Sequence, residues 1–476
     1  MVNALASRSY TEDIKRAGLK TGKPVGLWLA GVRIPSPAPF IRLEFTFTAK
    51  LYIPFLLLIK EFWRDGGKMS EEVSSYRWVM VGITWLMLFA QGMSWFCFSP
   101  MMSTLMKDLS MTGEQVGLII ALVPLSLVIL CIPGGLFADR FGVRVTVLIG
   151  GLLMGVFGLL RGFATDFVTL AMTTFLSGAG YSIAYPNMPK VTGTWFPRKD
   201  YAFASGVMFT GMEVGMALPF ILVPAVLLPW IGSWQGVFIA VGALTLAFAF
   251  LWMVLAKERP KLAKASVESS SAVFEGVPFR ESLFAVLKSK PMWVLVITSF
   301  FLLAPQVGLL GFLQTLLESK GIDPTTAGLT TSMISWSMIP SSFIIPILSD
   351  RIGLRKPFIW VLSLIAGIAL YLTGTTTGVP LWVSAIIYGF LIGGRAPIVL
   401  AMPVETVGPL HAATAGGFML VGGYAGAAIA PLLVGFLWAS SGSFYPAIIA
   451  CMVLTEIDVI CALMLKESRK DKKGQA

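Results

Sequence analysis

Along this chain of 476 residues, long apolar stretches alternate with short polar connections. A helix needs about 20 predominantly apolar residues to cross the hydrocarbon of a bilayer. Twelve runs meet that requirement. The first six cover residues 78–101, 116–138, 143–162, 167–189, 204–228 and 234–256. The second six cover 292–316, 327–348, 357–376, 379–403, 413–438 and 443–465. The two sets are nearly equal in length and are separated by a polar stretch. The pattern predicts an all-α polytopic membrane protein with twelve transmembrane helices in two pseudo-symmetric six-helix halves.

Composition supports that class. Hydrophobic residues make up 56% of the chain and charged residues 13%, with a mean hydropathy of +0.80. A soluble domain carries about 25% charged residues, so the deficit points to lipid as the surrounding medium. A net charge of +11 would fit a nucleic-acid partner only if it covered a soluble surface. Here Lys and Arg cluster in the connections, so no nucleic-acid partner is expected. Arg140, Arg144, Arg198, Lys199, Lys257, Arg280, Lys288, Arg351, Arg355 and Lys356 fall on one side, with Lys466, Arg469 and Lys470 in the tail. The opposite side has only Lys107, Arg161 and Lys320. Basic loops stay in the cytoplasm, so both ends of the twelve-span core are expected there, in a plasma (inner) membrane.

Candidate chemistry is sparse. Cys97, Cys131, Cys451 and Cys461 all lie inside apolar runs, at a spacing that fits neither a metal site nor a disulfide framework. They read as small packing residues. The only histidine, His411, lies in a connection. No nucleophile–base constellation and no nucleotide-binding motif is present, so the chain predicts no catalytic residue, no metal, no cofactor and no direct ATP drive.

Outside the spans, residues 1–75 read as an N-terminal appendage. Their one apolar stretch, 51–59, is flanked by Lys50 and Lys60 and is too short to span comfortably. No cleavable signal pattern precedes it. Arg64-Asp65-Gly66-Gly67-Lys68 precedes Met69, and Gly-Gly can be encoded by a purine-rich ribosome-binding sequence. The expectation is that residues 1–68 either lie upstream of a true start at Met69 or form a disordered or surface-lying appendage. The halves are then 76–256 and 292–466. Residues 257–291 form a Ser-rich cytoplasmic linker with room for a surface helix, and 467–476 a basic tail.

The most informative connection is Gly135-Leu136-Phe137-Ala138-Asp139-Arg140-Phe141-Gly142-Val143-Arg144. A weaker copy returns 211 residues later, from Asp139 to Asp350, as Ser349-Asp350-Arg351-Ile352-Gly353-Leu354-Arg355-Lys356. Glycine allows the tight turn between adjacent helices. Asp139, at the end of its helix, can pair with Arg140 or Arg144 and face a neighbouring helix terminus. A charged Asp-Arg-x-Gly-x-Arg loop that recurs once per half resembles the signature loop of the major facilitator superfamily. The resemblance extends over about 76–466. Trp195-Phe196-Pro197-Arg198-Lys199 is similar to a junction common in that family. Tyr185-Pro186-Asn187-Met188-Pro189-Lys190 looks like its organic-anion branches, and Leu159-Leu160-Arg161-Gly162 like the third span of cyanate- and nitrate-type porters. The chain departs from other branches. The fifth run lacks the Gly-Pro pair of drug antiporters, and Lys257-Glu258-Arg259-Pro260 lacks the sugar-porter signature. Thr174 stands before Phe175, where organic-anion porters usually carry Arg.

The resemblance implies a monomeric secondary transporter with a central cavity. It implies that Gly135, Asp139, Arg140, Gly142 and Arg144, with Asp350, Arg351, Gly353 and Arg355, form gating loops. These would latch the inner ends of the halves in the outward-facing state and release them as one half rocks against the other.

An ionisable side chain at the bilayer centre costs about 2.5–3.5 kcal/mol on insertion scales, so it needs a partner or a function. Arg395, in Gly393-Gly394-Arg395-Ala396-Pro397, and Glu213 lie well inside the tenth and fifth runs. By the resemblance, both runs approach the cavity. A fixed planar cation suits a carboxylate, a phosphate or a small oxyanion, so Arg395 is the leading substrate-binding candidate. Burial disfavours the charged form of a carboxyl, so Glu213 is the candidate for proton coupling. The bland alternative is a structural Glu213–Arg395 pair. Glu456 and Asp458, in the twelfth run, read as packing or interfacial. Arg161, near the end of its run, reads as able to snorkel to the surface or to attract anions to the mouth. Gln91, Trp95, Tyr185, Asn187, Gln306, Trp336 and Tyr424 complete the expected cavity lining, with Tyr181 beside them.

The reading is a secondary active transporter of a small organic or inorganic anion, working by alternating access with a proton or other ion as coupling partner. The competing readings are an exporter of drug-like amphiphiles and a non-transporting membrane sensor on the same fold.

Overall fold

The computed structural model describes residues 28–29, 32–33, 75–258 and 279–465. The first four form a minimal antiparallel hairpin, β1 (Trp28–Leu29) with β2 (Val32–Arg33). The rest of the segment 1–74, with the candidate start at Met69, lies outside the described residues, as do most of the linker and the basic tail.

Twelve helices are long and apolar enough to cross a membrane. The first six are α1 (Tyr76–Phe96), α2 (Gly113–Phe141), α3 (Val143–Leu160), α4 (Phe167–Ala184), α5 (Arg198–Leu222) and α6 (Trp234–Leu255). The second six are α7 (Lys290–Ser319), α8 (Pro324–Ile352), α9 (Lys356–Thr375), α10 (Gly378–Val407), α11 (Ala412–Ser441) and α12 (Tyr445–Met464). A further helix, Phe279–Lys288, precedes α7. Large apolar side chains remain exposed along these helices, among them Met172, Phe250, Phe436 and Ile460. A water-facing surface would not tolerate such a belt, whereas lipid tails do.

Two departures from the twelve uninterrupted runs sit at proline. The run 167–189 is not one helix. After Ala184 the chain tightens into a 3-10 turn, Tyr185–Asn187, around Pro186, and a short helix, Met188–Trp195, follows. The run 204–228 begins earlier than expected, at Arg198, and its far end relaxes into a π-turn, Val223–Leu227, next to Pro219 and Pro224. Proline withholds the N–H that would continue the α-ladder, and these wider or tighter turns absorb the loss.

Several helix starts are fixed by side chains. Thr112 and Gln115 form a reciprocal capping box at α2, and Asp166 and Thr169 do so at α4. The Asp166 carboxylate accepts the Thr169 N–H at 2.9 Å, and that bond holds its carboxyl below the usual range. Asp323 caps α8 in the same way through the Thr326 N–H. At the opposite ends of α2 and α8, Gly142 (φ 86°) and Gly353 (φ 76°) take a backbone conformation that L side chains rarely adopt. The glycines of the two loop copies are therefore required by the turns they make.

The halves repeat each other in their packing as well as in that loop. The spacing that separates Asp139 from Asp350 also separates Phe89 from Phe300 and Gly215 from Gly426. In the first half, Gly215 of α5 rests on the Phe89 carbonyl of α1. In the second, Gly426 of α11 rests on the Phe300 carbonyl of α7. Without a hydrophobic force between helices in lipid, such small-residue contacts let backbones approach and pack. Across the seam between the halves, α2 packs on α11 and α5 on α8.

Leucine at Gly215 or Gly426 should overpack its crossing. Either substitution should lower the thermal stability of detergent-purified protein by roughly 1–3 kcal/mol. Gly82→Ala, where an added methyl group meets nothing within 4 Å, should be neutral. Equal melting temperatures for all three variants would refute the account.

Candidate functional site

Gln91 and Trp95 lie one turn apart on α1, so they share a face. Trp95 meets the Tyr181 ring of α4 at 5.8 Å between centroids and the Tyr424 ring of α11 at 6.4 Å. Tyr181 stacks on Tyr185 at 5.1 Å, and Tyr185 meets Tyr424 edge-on at 6.1 Å. Phe209 of α5 closes the group against Tyr185 at 6.2 Å. Because α11 belongs to the second half, this aromatic cluster bridges the seam.

The polar atoms around it are conspicuously unsatisfied. Both amide atoms of Gln91, Nε1 of Trp95 and Oε2 of Glu213 are buried without a hydrogen-bond partner, while the Tyr181 hydroxyl is within reach of Tyr424. Glu213 lies within electrostatic reach of Tyr181 and Tyr185. Gln91 and Glu213 sit at matching depth, about 22 Å along the axis from the starts of α1 and α5. Native proteins leave few buried polar groups unpaired, so four such atoms converging on one place mark a site.

Arg161 stands behind this group. The expectation that it snorkels is wrong: the residue is 1% exposed. A 3-10 turn, Arg161–Phe163, ends α3 and turns the side chain inward. Its Nη1 donates to the Ser94 carbonyl at 2.8 Å and to the Ser94 hydroxyl at 3.3 Å. The guanidinium lies over the Phe98 ring, 4.8 Å from its centroid. Nε has no partner, and among the described residues no carboxylate pairs with this charge. Gln91, Trp95, Tyr181 and Arg161 line one small void of about 10 Å³, room for about one water.

Arg395 has a different setting. It pairs with Asp458 of α12 at 2.8 Å and also donates to the Ser363 hydroxyl of α9, and Ser363 in turn donates to Asp458 at 2.9 Å. Both charged side chains are essentially fully buried. The alternative of a Glu213–Arg395 pair is therefore corrected, and so is the packing or interfacial reading of Asp458. Arg395 turns toward the outer helices of its own half, α9 and α12. Pairing with a carboxylate costs it the free charge that anion binding requires.

Other expected lining residues are scattered. Asn187 donates to the Gly134 and Ile183 carbonyls at 3.1 and 2.9 Å, tying α2 to the proline-broken end of α4. Gln306 reaches the Met338 sulfur at 3.8 Å between α7 and α8. Trp336 is only partly buried on α8 and joins none of the cluster's ring contacts. In the first loop copy, the expected pairing of Asp139 with Arg140 or Arg144 does not form. Asp139 bonds Lys190 at 2.6 Å, Arg144 caps the Met253 carbonyl at 2.9 Å, and Arg140 lies over the Phe141 ring. Lys190 projects from the helix after the proline break and reaches Asp139 first. In the second copy Arg355 does pair with Asp350, at 3.0 Å, and also with Glu405 at 3.1 Å. All these partners lie within one half. At the other end of the bundle Ser103 donates to Glu318 at 2.5 Å, linking the two halves.

The family model described as Major Facilitator Superfamily matches residues 84–323 and 306–476. A probable sulfoacetate transporter of Cupriavidus necator is 23% identical, over 86% of this chain and 99% of its own. The D-galactonate transporter of Escherichia coli is 27% identical, over 70% and 82%. A 4-hydroxybenzoate transporter of Pseudomonas aeruginosa is 22% identical, over 83% and 94%. Among solved structures, a bacterial homolog of the human lysosomal transporter Spinster, inward-facing and occupied, superposes with a TM-score of 0.69 at 15% identity. It covers 82% of this chain and 97% of its own. That likeness bears on the fold alone.

If Arg395 and Asp458 form a structural pair, Asp458→Leu should destabilise the protein by roughly 3–5 kcal/mol, because it strands a buried cation. Arg395→Met combined with Asp458→Leu should recover most of that loss in thermal unfolding. A double variant no more stable than Asp458→Leu alone would refute the pair's independence from the rest of the core.

Proposed function

We propose that this chain, which belongs to the Major Facilitator Superfamily, moves a small organic or inorganic anion across the membrane by alternating access, driven by protons. The observation that carries the reading is the convergence of unpartnered polar atoms from α1 and α5 on an aromatic cluster completed by Tyr424 of α11. A buried group without its hydrogen bond costs about 1–3 kcal/mol. A bound polar solute meets those needs. The names of the related transporters support an anion, since sulfoacetate, D-galactonate and 4-hydroxybenzoate are all acids.

Glu213 is the proton carrier in this reading. It has no basic partner among the described residues, and it sits next to the substrate cluster, so its charge and the substrate's are felt together. A neutral Glu213 favours the anion and a charged one repels it, which links proton uptake to anion binding. Ser103–Glu318 links the two halves at one end of the seam, and the recurrence of the charged loop once per half supports rocking of residues 76–256 against 292–466. The protein acts as a monomer in the plasma membrane, with both ends of the core in the cytoplasm.

Proteoliposomes with a trapped pH dye test the proposal. Addition of sulfoacetate, D-galactonate or 4-hydroxybenzoate should move protons with the acid. Glu213→Gln should abolish proton-driven accumulation while leaving anion exchange at equal concentrations intact. Flux of cationic amphiphiles alone would establish the exporter reading instead, and absence of any flux would favour a sensor.

A further inference from the structure

With Arg395 neutralised by Asp458, the anion site of the preceding section lacks its positive charge, and the geometry supplies one elsewhere. We infer that the void beside Arg161 is the subsite for the substrate's oxyanion group, a carboxylate or sulfonate, held by Arg161 and Gln91. This rests on the anion-transport reading and adds to it the residues that grip the charge.

Three observations converge. First, Arg161 is a fully buried cation with no carboxylate partner, held only by the neutral oxygens of Ser94 and the face of Phe98. A buried charge is normally paired. Arg395 has Asp458 as its carboxylate, although its Nε and Nη2 are also without a partner; among the described residues it is the missing carboxylate that sets Arg161 apart. Second, the polar atoms that await partners around the void are mostly donors. Arg161 Nε, Gln91 Nε2 and Trp95 Nε1 can all donate, against one obligate acceptor, Gln91 Oε1. A donor-rich site around a cation fits an oxyanion with several lone pairs and rejects an ammonium group. Third, the void beside Arg161 is nearly closed in this state, at about 10 Å³, room for about one water. An oxyanion enters it only as the rings that line it move, while the rest of the solute extends to the seam. Trp95 and Tyr181 belong both to the void and to the seam cluster, so they form the wall between head and body of the substrate. Movement of either ring opens one to the other.

The subsite also explains why Arg161 remains inside. Its two bonds to Ser94 both use Nη1 and leave Nε without a partner. A fixed planar fork is what bidentate capture of a carboxylate needs.

Thermal stabilisation of the purified full chain tests the inference, with sulfoacetate, D-galactonate and 4-hydroxybenzoate as probes and 4-hydroxybenzamide as the uncharged control. At least one acid should stabilise the parent, and the amide should not. Arg161→Gln should weaken that acid by at least about tenfold, and Arg161→Lys by less. Gln91→Leu should also weaken it while leaving the melting temperature of the empty protein unchanged or raised, since the variant removes a strained polar group. A merely structural glutamine would not show that opposition, and the variant decides the matter if Arg161→Gln does not fold. Parental affinity in both Arg161→Gln and Gln91→Leu overturns the subsite but leaves anion transport standing. A parent stabilised by none of the three acids overturns both.

Discussion

A charge taken out of water must be compensated, and inside a bilayer there is no water to do it. The two arginines buried among the described residues meet that constraint in opposite ways. Arg395 is closed off by Asp458 and Ser363, three side chains from α10, α12 and α9 that share one small network. It binds three helices of the second half to one another and leaves no net charge. Arg161 receives only the dipoles of Ser94 and the quadrupole of Phe98. Its charge stays open, and the helices around it are arranged to keep a void beside it. One arginine makes a half rigid, and the other leaves a half ready for a ligand.

That division only works if the helices approach closely enough to exclude lipid from both networks while still sliding. The repeated crossings of α1 on α5 and α7 on α11 provide this. A glycine meets a carbonyl at equivalent places in both halves, so the contact is backbone on backbone, with no side chains to unlock. The seams between the halves use the same device. Gly117 of α2 lies against the Pro431 carbonyl of α11, and Gly328 of α8 against the Phe220 carbonyl of α5. Smooth seams between stiff halves are the mechanical requirement for rocking.

How far the sequence reveals this depends on what each feature requires. Span number needs only length and hydropathy, so the twelve helices are legible. The loop motif needs only short-range spacing, so Gly142 and Gly353 are legible as turn residues. Helix rotation is another matter. Where a helix is apolar nearly all round, no periodicity tells which way a residue faces. The depth of Arg395 in its run was readable, but its direction was not, and its partner Asp458 lies two helices further along the chain. For Arg161, position near a run's end pointed to snorkelling. The 3-10 turn that folds it inward, under Phe98, has no strong local signal. A cue was present in its isolation, because no acidic residue accompanies it in its own run. The breaks at Pro186 and Pro224 were also open to reading, since proline marks both, but their consequence for Asn187 and Lys190 needed the fold.

The internal repeat turns these placements into an argument about the division of labour. The spacing of 211 residues from Asp139 to Asp350 also carries Glu213 onto Tyr424 and Trp95 onto Gln306. Both members of the first pair serve the central cluster: Glu213 reaches Tyr181 and Tyr185 electrostatically, and Tyr424 meets Tyr185 through its ring. Two halves that share a backbone plan have therefore diverged at one equivalent position into a titratable group and an aromatic wall. The second pair diverges the same way, with Trp95 in the cluster and Gln306 turned to Met338. The unpaired Arg161 and the donors beside it gather in the first half. The second half contributes a ring to the seam and pairs its buried Arg395 with Asp458. Motion of the second half past the first then opens or covers the site without transporting an unpaired charge of its own through the hydrocarbon, which is the least costly way to move a seam within lipid.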